Sequence, residues 1–246
     1  MRIAISGTAC QGKTTLIKDF LDTWKSYKTP EKTYRDIIVE QGLEHSSGTN
    51  KETQWAVLNF MVEELQKTSS LSNVIFDRCP LDNIIYSIWG TTREDSDIDD
   101  KFIEKCLPVV REAMRNLDII FFTPITKVAP IQIESDELRE TNKQYIEEID
   151  NLFKAVYRDY AENPESQFFT KDDRPGIIEI FGNRKERIEL IKLYIDNDGD
   201  VIEPGSIFSP KELEDIEKLK SSFKDITSKN NLDEKSFGEI FGEEPK

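Results

Sequence analysis

Gly7-Thr8-Ala9-Cys10-Gln11-Gly12-Lys13-Thr14 decides how this sequence folds. The octet follows the short apolar run Ile3-Ala4-Ile5 and precedes Leu16, Ile17, Phe20, Leu21 and Trp24, which recur at three- and four-residue spacing. The order is therefore buried strand, glycine-bounded loop and amphipathic helix, the helix reaching about residue 27. The octet fits the pattern G-x-x-x-x-G-K-[ST] without a mismatch. Glycines at both ends let the chain curl so that successive N–H groups point at one anion, and the helix start adds its dipole.

A loop of this kind cradles the phosphates of a nucleotide. Lys13 is placed to reach the β- and γ-phosphates of ATP and the Thr14 hydroxyl to bind Mg²⁺. With Thr15 in the first helical turn, residues 7–15 form the expected nucleotide-binding set.

Four more stretches read as strands. Arg35-Asp36-Ile37-Ile38-Val39-Glu40-Gln41-Gly42 is β-branched and ends in an acid and a glycine, so it reads as the second. Ligands in open parallel sheets lie beyond the carboxyl ends of strands, which would bring Glu40 to the active site as a substrate-orienting group or base. A solvated strand end is the plainer role for it. Arg35, at the start of the same stretch, is a candidate contact for an acceptor phosphate. The third strand, Asn73-Val74-Ile75-Phe76-Asp77-Arg78, ends in the acid that orders Mg²⁺ directly or through water. Arg78 follows with a planar fork suited to clamping phosphate. A structural ion pair is the simpler alternative for the two together. Residues 118–124 are the fourth strand, a fully apolar one as befits the interior of a parallel sheet. Residues 176–182 are the fifth, followed by a helix at 183–195, and the loop at 182–184 is a candidate border for adenine.

Between these strands, Trp55, Leu58, Val62 and Leu65 mark a helix with a buried stripe, and Gln54 lies near its start, where a base or sugar could be read. Residues 125–141 are polar and precede a long amphipathic helix. A lid that excludes water and delivers a cation belongs at that point in a phosphoryl-transfer enzyme, with Arg139 its candidate cation. A solvated helix-face arginine is the competing role.

From residue 196 the character changes. Asp196-Asn197-Asp198-Gly199-Asp200 lacks the glycine and glutamate positions of a calcium loop and reads as a turn. A helix at 210–226 and an acidic tail follow. The division is thus a catalytic domain at 1–195 and an extension at 196–246. The small apolar knot at Phe237, Ile240 and Phe241 leaves three roles open: a disordered tail, packing back onto the domain, or contact with a second subunit in a homodimer.

The 246 residues carry a net charge of −15, which disfavours an extended basic track for nucleic acid. No apolar run approaches a membrane span, and the nucleotide-binding strand stands at the N-terminus, so a cytoplasmic protein without a cleavable signal is expected. Cys10, Cys79 and Cys106 lack metal-ligand spacing, and a single histidine, His45, disfavours a histidine-based triad or metal site.

Strands alternating with helices imply a doubly wound, five-stranded parallel sheet in the P-loop NTPase manner, with a helical lid and a C-terminal extension. Through the loop 7–14, Glu40-Gln41-Gly42, Asp77-Arg78 and Arg139, residues 1–195 resemble the P-loop nucleoside and nucleotide kinases, in particular thymidylate, deoxynucleoside and nicotinamide riboside kinases of bacterial and phage type. The resemblance implies ATP and Mg²⁺ as cofactors and a small nucleoside or nucleotide acceptor. In those families the acid closing the second strand contacts or deprotonates the acceptor. Thymidylate kinases tend to place Arg before that acid and Pro after it, where this chain has Val39 and Gln41. Deoxynucleoside kinases prefer Glu-Arg-Ser where this chain has Asp77-Arg78-Cys79. An ATPase or switch that drives a protein partner is the reading from another class. Against it, Asp77 is followed by Arg rather than by a water-activating Glu, and the guanine-reading pattern Asn-Lys-x-Asp is missing at 142–145. A polynucleotide 5′-kinase is disfavoured by the acidity.

Overall fold

The computed structural model describes residues 1–44, 48–127, 142–161 and 163–202. Four strands, β1 (Arg2–Ser6), β2 (Val74–Asp77), β3 (Ile119–Phe122) and β4 (Gly176–Glu179), form one sheet in the order β2-β1-β3-β4. Every pairing is parallel, with Ala4 opposite Phe76 and Ile120, and Phe121 opposite Ile178.

Seven α-helices connect and cover these strands among the described residues: α1 (Lys13–Thr23), α2 (Tyr34–Gln41), α3 (Lys51–Lys67), α4 (Pro80–Thr91), α5 (Asp100–Met114), α6 (Lys143–Lys154) and α7 (Arg184–Ile191). A π-helical turn, Ala155–Tyr160, continues α6.

Period-two alternation divides the strands between two cores, one on each face of the sheet. Ala4, Phe76, Ile120 and Phe122 pack with Leu58, Leu81, Ile84 and Phe153 from α3, α4 and α6. Ile3, Ile5, Ile75, Ile119 and Phe121 turn the other way, onto Leu16, Phe20, Ile188 and Ile191 from α1 and α7. Both faces are thereby buried, which is why the strands read as continuous apolar runs rather than as alternating ones.

The second expected strand is instead the helix α2. Thr33 and Asp36 form a capping box at its start, the Thr33 N–H donating to Asp36 Oδ2 at 2.7 Å. Gly42, at φ +63°, supplies the left-handed residue that ends it. Backbone capping at both ends outweighs the strand preference of Ile37-Ile38-Val39, and the helical turn brings Tyr34, Ile38 and Leu43 onto Val57 and Met61 of α3. At the sheet edge beside β2 the chain makes a single parallel bridge, Lys28 to Val74. The sheet therefore has four strands among the described residues, not five.

The first helix also ends before residue 27. Trp24 leaves α1 and donates its indole Nε1–H to Asp196 O at 2.6 Å, while Tyr27 donates to Gly199 O at 2.7 Å. Asp196 Oδ1 accepts the N–H groups of Asp198, Gly199 and Asp200, so residues 196–200 are the expected turn. Met1–Val201 form one compact unit. Residues 128–141, Arg139 among them, and the helix expected at 210–226 lie outside the described residues. Among those described, no helix is long and apolar enough to cross a membrane.

Candidate active site

The loop between β1 and α1 is held open for an anion by its backbone. Gly7, Cys10 and Gly12 have φ of +133°, +58° and +69°. A Cβ at Gly7 would meet Thr123 Oγ1 at 2.7 Å and Thr123 O at 2.8 Å, so only glycine fits beside the end of β3. Lys13 folds back over the loop and donates to Thr8 O, and it is only 5% exposed. Burial, reinforced by the Arg78 charge, lowers the Lys13 pKa well below the ordinary lysine value against the opposing pull of Asp77 and Asp82. A phosphate bound in the loop would favour the ammonium form.

Thr14 and Asp77 bring two hard oxygen groups together at the mouth of the loop. The Thr14 hydroxyl donates to Asp77 Oδ2 at 3.5 Å, and Asp77 Oδ1 is buried without a hydrogen-bond partner. Arg35 NH1 stands 3.8 Å from Asp77 Oδ2. No group of three or more acidic, cysteine or histidine side chains stands ready for a metal among the described residues. Mg²⁺ suits this arrangement, because it is commonly held by one or two carboxylates together with phosphate oxygens and water.

Arg78, just past β2, has φ +81°, a backbone region that long side chains seldom occupy. Its guanidinium lies against the rings of Tyr34 and Tyr86, 5.0 and 4.9 Å from their centroids. It donates to Gly7 O at 3.2 Å, Asp82 Oδ2 at 3.1 Å and Tyr86 Oη at 3.0 Å. Burial opposes its charge, but Tyr34, Tyr86, Asp82 and Asp77 more than reverse that, and its pKa lies above the ordinary arginine value. The cation is locked in its charged form inside the protein.

An open cleft continues from the loop, with about 1170 Å³ of empty space when the solvent at its mouth is included. Tyr34, Arg35, Ile38 and Val39 of α2, Gln54, Val57 and Met61 of α3, and Asp82, Asn83 and Tyr86 of α4 wall it, opposite residues 9–15 of the loop and first helix. Gln54 belongs to a buried amide network: Asn83 Nδ2 donates to Gln54 O at 2.7 Å and to Gln54 Oε1 at 2.6 Å, and Gln54 Nε2 donates to Thr49 Oγ1 at 2.7 Å. Asn83 Oδ1 is buried without a partner.

The structure thus brings residues 9–15, Arg35, Gln54 and Arg78 to one cleft, with Asp77 beside Thr14 at its edge. Glu40 is the correction. It stands on α2 rather than at a strand end, its side chain is 51% exposed, and both its oxygens accept from Lys32 Nζ, at 2.8 and 2.9 Å. Its neighbours Ile38 and Val39 line the cleft and it does not. Sequence reasoning missed Tyr34, Asp82, Asn83 and Tyr86. Asp82, four residues after Arg78 and in the first turn of α4, carried the one local signal among them.

No curated protein matches the sequence. In fold, the chain is similar to deoxyadenosine kinase from M. mycoides, solved with the products dCMP and dCDP: TM-score 0.56 at 19% identity, over 78% of this chain and 97% of that one. It is also similar to the NadR protein in complex with NAD and AMP-PNP: TM-score 0.52 at 14% identity, over 82% of this chain and 51% of that one. The chain shares its fold with these two proteins. A family model described as an AAA domain matches residues 2–163, the stretch that carries the loop, Asp77-Arg78 and the cleft, and the chain belongs to that family.

Proposed function

We propose that the protein transfers the γ-phosphoryl group of Mg·ATP to a nucleoside monophosphate, a deoxynucleotide in particular. The observation that carries this is the charge balance of the cleft. Its wall adds Arg35 and Arg78 to the loop lysine, and among the described residues the one carboxylate that lines it, Asp82, is committed to Arg78, Ser6 and Cys79. A hydroxyl acceptor needs a base to take its proton, whereas a phosphate acceptor needs cations to offset its charge. Glu40, the base candidate, faces solvent on Lys32. The cleft is equipped for the second kind of acceptor.

In this reading the loop N–H groups and Lys13 hold the donor phosphates and Arg78 faces the transferring group. Thr14 and Asp77 would hold Mg²⁺, which would supply charge neutralisation. Arg35 takes the acceptor phosphate. Ile38, Val57 and Met61 give the base an apolar floor, and Asn83 Oδ1, with Gln54 behind it, accepts an N–H of the base edge. The deoxynucleotides bound by the M. mycoides enzyme that shares this fold support a deoxynucleotide ligand.

An acceptor panel tests the proposal: deoxynucleoside and ribonucleoside monophosphates, free nucleosides and nicotinamide riboside, each scored by ADP release. Deoxynucleoside monophosphates are expected to give kcat/KM about tenfold or more above the nucleosides. Turnover of nucleosides alone moves the acceptor to a hydroxyl, and no ADP release above background with any acceptor overturns the kinase. Membership of the AAA domain family favours a second reading, an ATPase coupled to a protein partner. Hydrolysis stimulated by a protein and by no small acceptor would establish it.

A further inference from the structure

Beneath the phosphate loop runs a chain of buried polar side chains that nucleotide binding alone does not require. Asp82, in the first turn of α4, is 1% exposed, and both its oxygens are engaged. Oδ2 accepts from Arg78 NH1 at 3.1 Å, and Oδ1 accepts from Ser6 Oγ at 2.5 Å and from Cys79 Sγ at 3.2 Å. Ser6 Oγ is in turn 2.7 Å from the hydroxyl of Tyr157, a buried residue of the π-helical turn. The chain therefore joins three elements: the end of β1 where the loop begins, the start of α4, and the π-helical turn that follows α6.

A buried ion pair is costly to desolvate, and replacing both partners by apolar residues is often no less stable, although removing one partner alone strands the other charge. Stability is a weak reason for the Arg78–Asp82 pair as a whole. Orientation is a stronger one. Arg78 leaves the backbone at an unfavourable φ, so its surroundings rather than backbone preference hold it in place. Of its five N–H donors, three are fixed on the protein side, by Asp82, Gly7 O and Tyr86, with the guanidinium between the Tyr34 and Tyr86 rings. Among the described residues, Nε–H and one NH2 proton take no hydrogen-bond acceptor and are left for an anion. Asp82 meets NH1 alone rather than gripping both nitrogens, and so steers the fork without consuming it. π-Helical turns recur at functional sites, and here the turn supplies the hydroxyl at the far end of the chain.

We propose that Asp82 is the positioning residue of Arg78, held in turn by Ser6 and Tyr157, so that the aim of the guanidinium at the transferring phosphoryl group is set from the π-helical turn. The proposal rests on the kinase reading above for the role of Arg78. It concerns catalysis through another residue, not contact with substrate.

A double-mutant cycle on the full chain, Asp82→Asn against Arg78→Ala, tests it, with kcat and both KM values as readouts. Misplacing a catalytic group slightly is costly, so Asp82→Asn alone is expected to lower kcat about 10- to 100-fold while KM for ATP moves by less than about threefold. In the Arg78→Ala background the same change is expected to alter kcat by less than about twofold, because nothing is left to aim. Tyr157→Phe is expected to show a smaller loss that vanishes in the same background. Multiplicative losses, or an unchanged kcat in Asp82→Asn, overturn the proposal, since a merely structural carboxylate would act regardless of Arg78. Ser6→Ala replaces Asp82→Asn in the cycle if the latter does not fold. Wild-type turnover on the acceptor panel is read first. If it is absent the kinase reading fails, and the cycle is run on Mg·ATP affinity by titration calorimetry, where a non-additive loss supports the relay and an additive loss or none overturns it.

Discussion

On the kinase reading proposed above, the donor half of the cleft is built from backbone and the acceptor half from side chains. On the donor side, residues 7–14 set the geometry through three positive φ angles, and the nearest partners are main-chain groups such as Thr8 O. On the acceptor side, Arg35, Gln54 and Asn83 come from three helices, and their arrangement depends on how α2, α3 and α4 pack. A backbone device is specified by contiguous sequence. A side-chain wall is specified by the fold as a whole, and it is free to differ between chains that share the donor loop.

The sharpest break in that contrast is Lys13→Ala. It removes the loop side chain proposed to hold the donor phosphates, and kcat is expected to fall about 10³-fold in a steady-state ADP-release assay. Acceptor KM should change little. A loss confined to acceptor KM would erase the distinction between the halves.

Gly7→Ala attacks the donor half through its backbone. The added methyl would overlap Thr123 Oγ1 and O at a φ that L-residues rarely adopt, so a stability loss of about 3 kcal/mol is expected, read as a lowered denaturant midpoint. ATP affinity should fall with it. An unchanged midpoint would mean that the loop yields where the packing against β3 says it cannot.

Arg35→Ala is the corresponding cut on the acceptor side. The loss of one charge-assisted contact is expected to raise acceptor KM about tenfold, with KM for ATP unchanged. An equal rise in both would assign Arg35 to Asp77, its neighbour at 3.8 Å, and so to the donor half.

The same division explains what could be read from sequence. The octet 7–14, the apolar runs that became β1 to β4, and the Asp77-Arg78 pair are local patterns, and the four runs pair in parallel in one sheet as expected. The second strand failed on a local conflict. Ile37-Ile38-Val39 favours a strand, but Thr33-Tyr34-Arg35-Asp36 is a capping sequence and Gly42 a helix terminator, and both were legible beside it. Asn83, Tyr34 and Tyr86 carried no such mark. Asn83 matters because it meets Gln54, 29 residues away, and Tyr34 because α2 carries its ring against Arg78. No spacing rule connects those positions before the helices pack.

Glu40 gives the smallest expected effect and the most direct check on α2. As a strand-end base it would be worth orders of magnitude in kcat. As an exposed helix residue paired with Lys32, it contributes a surface ion pair of about 0–1 kcal/mol and nothing to the chemistry. Glu40→Gln is therefore expected to leave kcat and both KM values within about twofold and to shift the denaturant midpoint by less than about 0.5 kcal/mol equivalent. Its pH profile should superimpose on that of the wild type, because no proton is handed to position 40 in the reaction. A hundredfold drop in kcat would require the carboxylate to reach the acceptor, hence an unwound α2 and a hydroxyl acceptor, and the charge-balance reasoning for a nucleoside monophosphate would fall with it.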